Sequence, residues 1–299
     1  MRGPGASPPS EPSRSHVSAD GRETLAHDGH SAVVVVHSAA SDVGRVRQVN
    51  EDSFLAEAPV FLVADGMGGH ARGDAASRAV VETFRRHLGT GEASTPEQVL
   101  DAIHSSNDAV RALSEAGDEG VAVAGTTLAG VALIDAGAGQ GLKWMAFNVG
   151  DSRVYSWDGR RLIQVSVDHS AVQELVDAGL LEAAEAERHP ERNVITRALG
   201  ADEYVEPDVW ILPVGGRQAF LVCSDGLTKE VGVDDISRIL AEGGRADELI
   251  ASALAGGGRD NVTAVLVESD TGIDDDGETT RDRDGRFPEE TAPRDGGAA

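Results

Sequence analysis

The chain has 299 residues, 40% of them apolar, enough for one sizeable core or two small ones. Its 26 basic and 51 acidic residues give a net charge of −25, a surface that repels nucleic acid and anionic membranes but attracts divalent cations. A lone cysteine, Cys223, excludes an intramolecular disulfide, and with no signal-like block or membrane-length apolar run the expectation is a cytoplasmic protein binding neither nucleic acid nor membrane.

Residues 1–31, rich in Pro, Ser, Gly and His, read as a disordered tail. The folded core is expected over 32–268. Strands are predicted over 32–39, 52–56 and 60–64, each short, apolar and bounded by Gly, Asp or Asn. Ala76, Val80, Phe84 and Leu88 then recur at i+4, which predicts a helix over 71–88. A second helix opens on Thr95-Pro96-Glu97-Gln98, a capping box with proline at the first helical position, and carries Val99, Ile103, Val110 and Leu113 on one face. Four strands follow, over 124–134, 143–149, 152–157 and 161–166. A short helix over 171–178 has Val172, Leu175 and Val176 on one side. Strands over 206–211 and 218–223, helices over 233–242 and 246–255, and a strand over 261–267 complete the core. Residues 269–299 hold ten acids and four arginines and read as an acidic disordered tail. Strand blocks alternating with helix pairs, without a strand-helix-strand repeat, point to an α+β layered fold and not to a doubly wound parallel sheet.

One pattern recurs at the strand ends. The apolar run 60–64 ends in Asp65-Gly66, and Phe147 to Val149 leads into Gly150-Asp151. Phe220 to Cys223 leads into Ser224-Asp225-Gly226, Asp260-Asn261 precedes the last strand, and Glu51-Asp52 opens an early one. Singly, an Asp-Gly after a strand is an ordinary turn. Together, mutually repelling acids gathered at one end of a core need a cation. Oxygen-only ligands select Mg²⁺ or Mn²⁺ over Zn²⁺, and the Gly66 carbonyl is a further candidate ligand. Such sites commonly hydrolyse phosphate esters and want an arginine fork for the phosphate oxygens. Arg47, four residues before Glu51, is the candidate; a solvated surface arginine is the alternative.

The ordered motifs SDVGRVRQVNEDSF, VADGMGGH, GTT, VGDSRVY, DHS, ITRALG, CSDGLT and GRDNVT, running from residue 41 to 263, resemble the metal-dependent type 2C Ser/Thr protein phosphatases (the PPM family) in their bacterial form. The resemblance implies a four-layer α-β-β-α sandwich, two antiparallel sheets flanked by helix pairs, with metals in a cleft at one end and a flap over 168–199. It implies that Asp65 bridges two Mn²⁺ or Mg²⁺ ions, with the Gly66 carbonyl on one and Asp225 and Asp260 completing the pair. Glu51 and Asp52 would act through water, and Asp151 with Asp225 would hold a third ion. Arg47 would bind the substrate phosphate, and a metal-bridging hydroxide would be the nucleophile. The implied activity is hydrolysis of phosphoserine and phosphothreonine on phosphoproteins by a monomer that opposes a Ser/Thr kinase.

Two departures stand out. Met67 replaces the histidine that animal relatives carry after Asp-Gly as general acid. His70 is then a candidate proton donor, with a helix-capping or surface role, or a metal-bound water as donor, as the alternatives. The chain also runs into a polar acidic tail where membrane-anchored relatives continue into a transmembrane helix. A catalytically silent binding module is opposed by the presence of Arg47, Asp65, Asp225 and Asp260 together, and a nuclease by the acidic core. Cys223 reads as a small core hydrophobe, and Thr126, Thr127 and Asn261 as orienting residues.

Overall fold

The computed structural model describes residues 16–27, 31–68, 71–89, 91–115, 124–137, 139–186 and 188–271. Two twelve-residue strands open it: β1 (His16–His27) pairs antiparallel with β2 (Ser31–Asp42) along its full length. Then come β3 (Asp52–Glu57), β4 (Val60–Met67), α1 (Ala71–His87), α2 (Pro96–Glu115), β5 (Gly125–Thr126), β6 (Leu128–Asp135) and β7 (Leu142–Val149). The second half runs through β8 (Arg153–Trp157), β9 (Leu162–Gln164), α3 (Ala171–Asp177), α4 (Ala183–Ala186), β10 (Asp208–Pro213) and β11 (Arg217–Cys223). It ends with α5 (Asp225–Thr228), α6 (Val233–Ala241), α7 (Ala246–Gly256) and β12 (Val262–Asp270).

Two antiparallel sheets result, one ordered β1-β2-β12-β11-β8-β9 and the other β10-β7-β6-β4-β3, with β5 on β4. Alternate residues of each strand feed different cores. In β4, Phe61 and Val63 face the other sheet, where they pack with its Val35, Phe220 and Val265 and with Trp144 of their own sheet. Leu62 and Ala64 face outward onto Val80, Phe84 and Ile103 of α1 and α2. On the far side, Leu221, Cys223 and Leu266 pack under Ile236, Leu249 and Ile250 of α6 and α7. Both faces of both sheets are covered at their centres, which is why these strands read as continuous apolar runs and not as alternating ones. The expected α+β four-layer sandwich is the fold found. The Thr95–Gln98 box is formed, Gln98 N–H donating to Thr95 Oγ1 (3.3 Å) and Thr95 N–H to Gln98 Oε1 (2.8 Å). Among the described residues no helix is long and apolar enough to cross a membrane.

The disordered tail expected over 1–31 is corrected for residues 16–27, which form edge strand β1. Its inward row, Val17, Ala19, Gly21, Glu23 and Leu25, contains one large fully buried side chain, Leu25, so no period-2 apolar signal exists to read. Backbone pairing to β2 makes the strand. Gly21 is needed there, because a Cβ would lie 2.2 Å from the buried His37 ring. Residues 1–15, 28–30 and 272–299 lie outside the described residues, while Ser269 and Asp270 of the expected acidic tail belong to β12. The strand expected over 124–134 is broken at Thr127 into β5 and β6.

Candidate active site

Antiparallel pairing brings the acid-bearing strand ends together. Asp52 opens β3 directly opposite Asp65 near the end of β4. The end of β11, which leads to Asp225, lies beside the start of β12, which follows Asp260 and Asn261. Asp151 follows the end of β7. Arg47, Glu51, Asp65, Gly66, Asp151, Asp225 and Asp260 accordingly line one cleft of about 580 Å³. Asp52 lies beneath it, its Oδ2 accepting from Ser224 Oγ (2.8 Å) and Thr263 Oγ1 (2.7 Å).

The electrostatics are those of crowded, desolvated acids. Burial pushes Asp52 and Asp151 up to about 7 each, opposed in Asp52 by its two hydroxyl bonds and reinforced in Asp151 by Asp225. Asp65 is held well above the usual carboxylate range by burial and by the charges of Asp52, Asp225, Asp151 and Asp260. Burial also raises Asp225, against the pull of Lys229.

Two cations answer these acids from within the chain. Arg47 forks onto Asp260, Nε to Oδ1 at 2.9 Å and Nη2 to Oδ2 at 3.0 Å. Lys229, one helical turn after Asp225, places its ammonium on Asp225 Oδ2. Burial works against that charge, but Asp225, Asp151 and Asp260 outweigh it and hold Lys229 above its ordinary value. With Asp225 turned to Lys229 and Asp260 to Arg47, no three acidic, His or Cys side chains among the described residues close into a ligand cage. The donor set nevertheless fits a hard divalent ion. It is all oxygen, and Asp52, Asp151 and Asp225 each keep a buried Oδ1 with no hydrogen-bond donor.

Backbone close approach fixes the loops around the acids. Gly66 N–H donates to Glu51 O (3.1 Å), and a Cβ on Gly66 would lie 2.1 Å from Gly73 O and 2.6 Å from Glu51 O. Gly66→Ala is therefore expected to cost at least about 2 kcal/mol of stability by forcing main chain apart. An unchanged urea midpoint would show that the junction yields. Asn261 is the knot of the same region: its Oδ1 accepts from Glu51 N–H (2.9 Å) and its Nδ2 donates to Val43 O and Val49 O (3.0 Å each).

A segment over 168–199, carrying α3 and α4, borders the cleft through Asn193 and Ile195. Its base is pinned beside Asp151. Arg153 donates to both Asp168 oxygens (2.7–3.0 Å), and Gly150 N–H donates to His169 Nδ1 (3.0 Å).

The expected metal and phosphate ligands Arg47, Glu51, Asp52, Asp65, Gly66, Asp151, Asp225 and Asp260 thus lie at or directly under one cleft. His70 lies outside the described residues, whereas Met67 lines the cleft. Cys223 is fully buried and its thiol is pushed up to about 12 by that burial, so it is packing, not a nucleophile. Sequence reasoning missed Lys229 and the hydroxyls of Ser224 and Thr263. The i,i+4 spacing of Lys229 from Asp225 was the available signal.

A family model described as protein phosphatase 2C matches residues 44–248. The serine/threonine protein phosphatase PstP of Mycobacterium tuberculosis is 38% identical over 243 residues, covering 79% of this chain and 45% of PstP. The serine/threonine phosphatase stp of Listeria monocytogenes is 36% identical over 244 residues, covering 77% of this chain and 94% of that protein. The chain thus spans about half the length of PstP and nearly all of stp. Among solved structures, PstP/Ppp of M. tuberculosis superposes with a TM-score of 0.68 at 36% identity, covering 78% of this chain and 97% of that one. The PstP catalytic domain in complex with 2 manganese ions does so at 0.67 and 35%, covering 79% and 99%.

Proposed function

Because the chain belongs to the protein phosphatase 2C family, we propose that it hydrolyses phosphoserine and phosphothreonine monoesters on proteins, with two Mn²⁺ or Mg²⁺ ions held in the carboxylate cleft. The observation that carries this reading is the meeting of buried and half-buried acids from five separated segments with a forked arginine at their rim. No structural need gathers six carboxylates there, since each buried charge is costly unless a cation answers it.

Asp65, the Gly66 carbonyl, Asp225 and Asp260 would hold the ions, with Glu51 and Asp52 supporting them from beside and beneath the cleft. When bound, the two ions supply Lewis acidity and an activated water for in-line attack at phosphorus. The chain's own groups do the rest. Arg47 is held at the cleft by its Nε and Nη2 bonds to Asp260, and the N–H groups those bonds leave over would meet the phosphate oxygens. Asp52 is fixed by Ser224 and Thr263, so its remaining oxygen points where they leave it free to act. Segment 168–199 forms one wall, where a substrate chain would be read. The physiological role that fits is reversal of a Ser/Thr kinase, on the kinase or on its substrates.

Hydrolysis of a phosphothreonine peptide across a Mn²⁺ titration, with a phosphotyrosine peptide and EDTA as controls, tests the reading. Metal-dependent phosphate release that favours phosphothreonine is expected. Folded protein that releases none at any Mn²⁺ concentration would overturn it and favour a binding role.

A further inference from the structure

Lys229 is placed where an additional cation would otherwise be required. It caps α5 at the turn after Asp225, its N–H donating to Asp225 O (2.9 Å) and its ammonium resting on Asp225 Oδ2. Lys229 lines the same cleft as Asp151 and Asp260. Asp151, only 7% exposed, keeps a buried Oδ1 without a hydrogen-bond donor, and so does Asp225, whose Oδ2 holds the ammonium. These are the two acids that the family resemblance assigns to a third ion. A divalent ion between them would have to dislodge the ammonium from Asp225 or sit against it, and at such range like charges repel strongly in a partly buried cleft.

We propose that Lys229 is the chain's built-in cation for the Asp151–Asp225 face, so that the protein takes two divalent ions and excludes a third. The proposal rests on the divalent-metal reading of the cleft. It adds that the count of ions is set by a side chain, one covalently tied to the site and present at unit occupancy at any metal concentration.

The sequence offers an unusually clean probe, because Lys143 and Lys229 are its only lysines. Lys143 stands near the start of β7, at the opposite end of that strand from Asp151, and serves as an internal control for amine labelling. Bound Mn²⁺ per full-length chain would be counted by equilibrium dialysis for the wild type, Lys229→Gln and Lys229→Arg. Labelling of Lys229 relative to Lys143 would be followed by mass spectrometry as Mn²⁺ rises to millimolar.

The wild type and Lys229→Arg should stop at two ions. Lys229→Gln should take a third at least about tenfold more tightly than either, since only it lacks the competing charge. Lys229 labelling in the wild type should not rise with Mn²⁺. A third ion in the wild type accompanied by faster Lys229 labelling would overturn the proposal, because the ion then displaces the lysine. So would Lys229→Gln remaining at two, which would leave Lys229 a phosphate-facing group. A wild type that binds no Mn²⁺ would sink the metal reading itself, an outcome distinct from both.

Discussion

Asp65→Asn is expected to lower Mn²⁺-dependent phosphothreonine hydrolysis by at least about 10³-fold, some 4 kcal/mol of barrier, and at the same time to raise the melting temperature in EDTA. The first effect follows from removing the carboxylate that the proposed function gives to both ions. The second follows from its surroundings: Asp65 is half-buried among the charges of Asp52, Asp225, Asp151 and Asp260. The backbone of Asp65 is already tied by Thr127, whose Oγ1 accepts from Asp65 N–H (3.0 Å) and whose N–H donates to Asp65 O (2.9 Å), so the amide variant keeps its place. An acid raised in the folded state binds its proton more tightly there than when unfolded. Its stability cost is therefore absent below the ordinary carboxylate value and grows as pH climbs toward the folded one. The gain from Asp65→Asn should be about 2–6 °C at neutral pH and fade near pH 4. Mn²⁺ should then raise the melting temperature of the wild type far more than that of the variant. Equal Mn²⁺ stabilisation of both proteins would remove Asp65 from the ligand set.

Asn261→Ala should be as damaging to activity and, unlike Asp65→Asn, should also unfold the protein more easily. The side chain is 5% exposed and satisfies three main-chain groups of the 43–51 loop, the carbonyls of Val43 and Val49 and the amide of Glu51. Alanine leaves all three wanting partners, a loss of about 2–4 kcal/mol. Arg47 and Glu51 both ride on this loop, so kcat/KM should fall by at least about 100-fold. Urea denaturation and the peptide assay check the two halves separately. Normal stability with lost activity would mean that Asn261 acts on the chemistry directly, not by holding the loop.

Much of this site could be read from residue order because its logic is local. A strand of apolar residues ending in an acid and a glycine is visible at Asp65, Asp151 and Asp225 without knowing what lies opposite. The fold class was legible for a related reason: with both sheet faces covered, strands such as Val60 to Ala64 are unbroken apolar runs. Most of what escaped reading was set by partners far away in sequence. Strand β1 exists because β2 offers it an edge, and its own residues alternate too weakly to announce it. The role of Lys229 depends on a four-residue helical turn, too short to show a period. The hydroxyls on Asp52 come from residues 172 and 211 positions distant, a separation that no local pattern encodes.

Strand β12 has a consequence for the order in which the molecule can be assembled. Latest of the described elements in the chain, it nonetheless lies in the interior of its sheet, paired with β2 along Val262 to Asp270 on one side and with β11 on the other. During synthesis β2 leaves the ribosome more than two hundred residues before the partner it needs, and it must wait with one edge open. Asp260 and Asn261 arrive only with that strand, so the loop bearing Arg47 is untethered until then. Any ribosome-bound or prematurely ended chain lacking this stretch therefore has neither a closed sheet nor a finished cleft. Catalytic competence is acquired in one late step, by zipping a central strand into a gap.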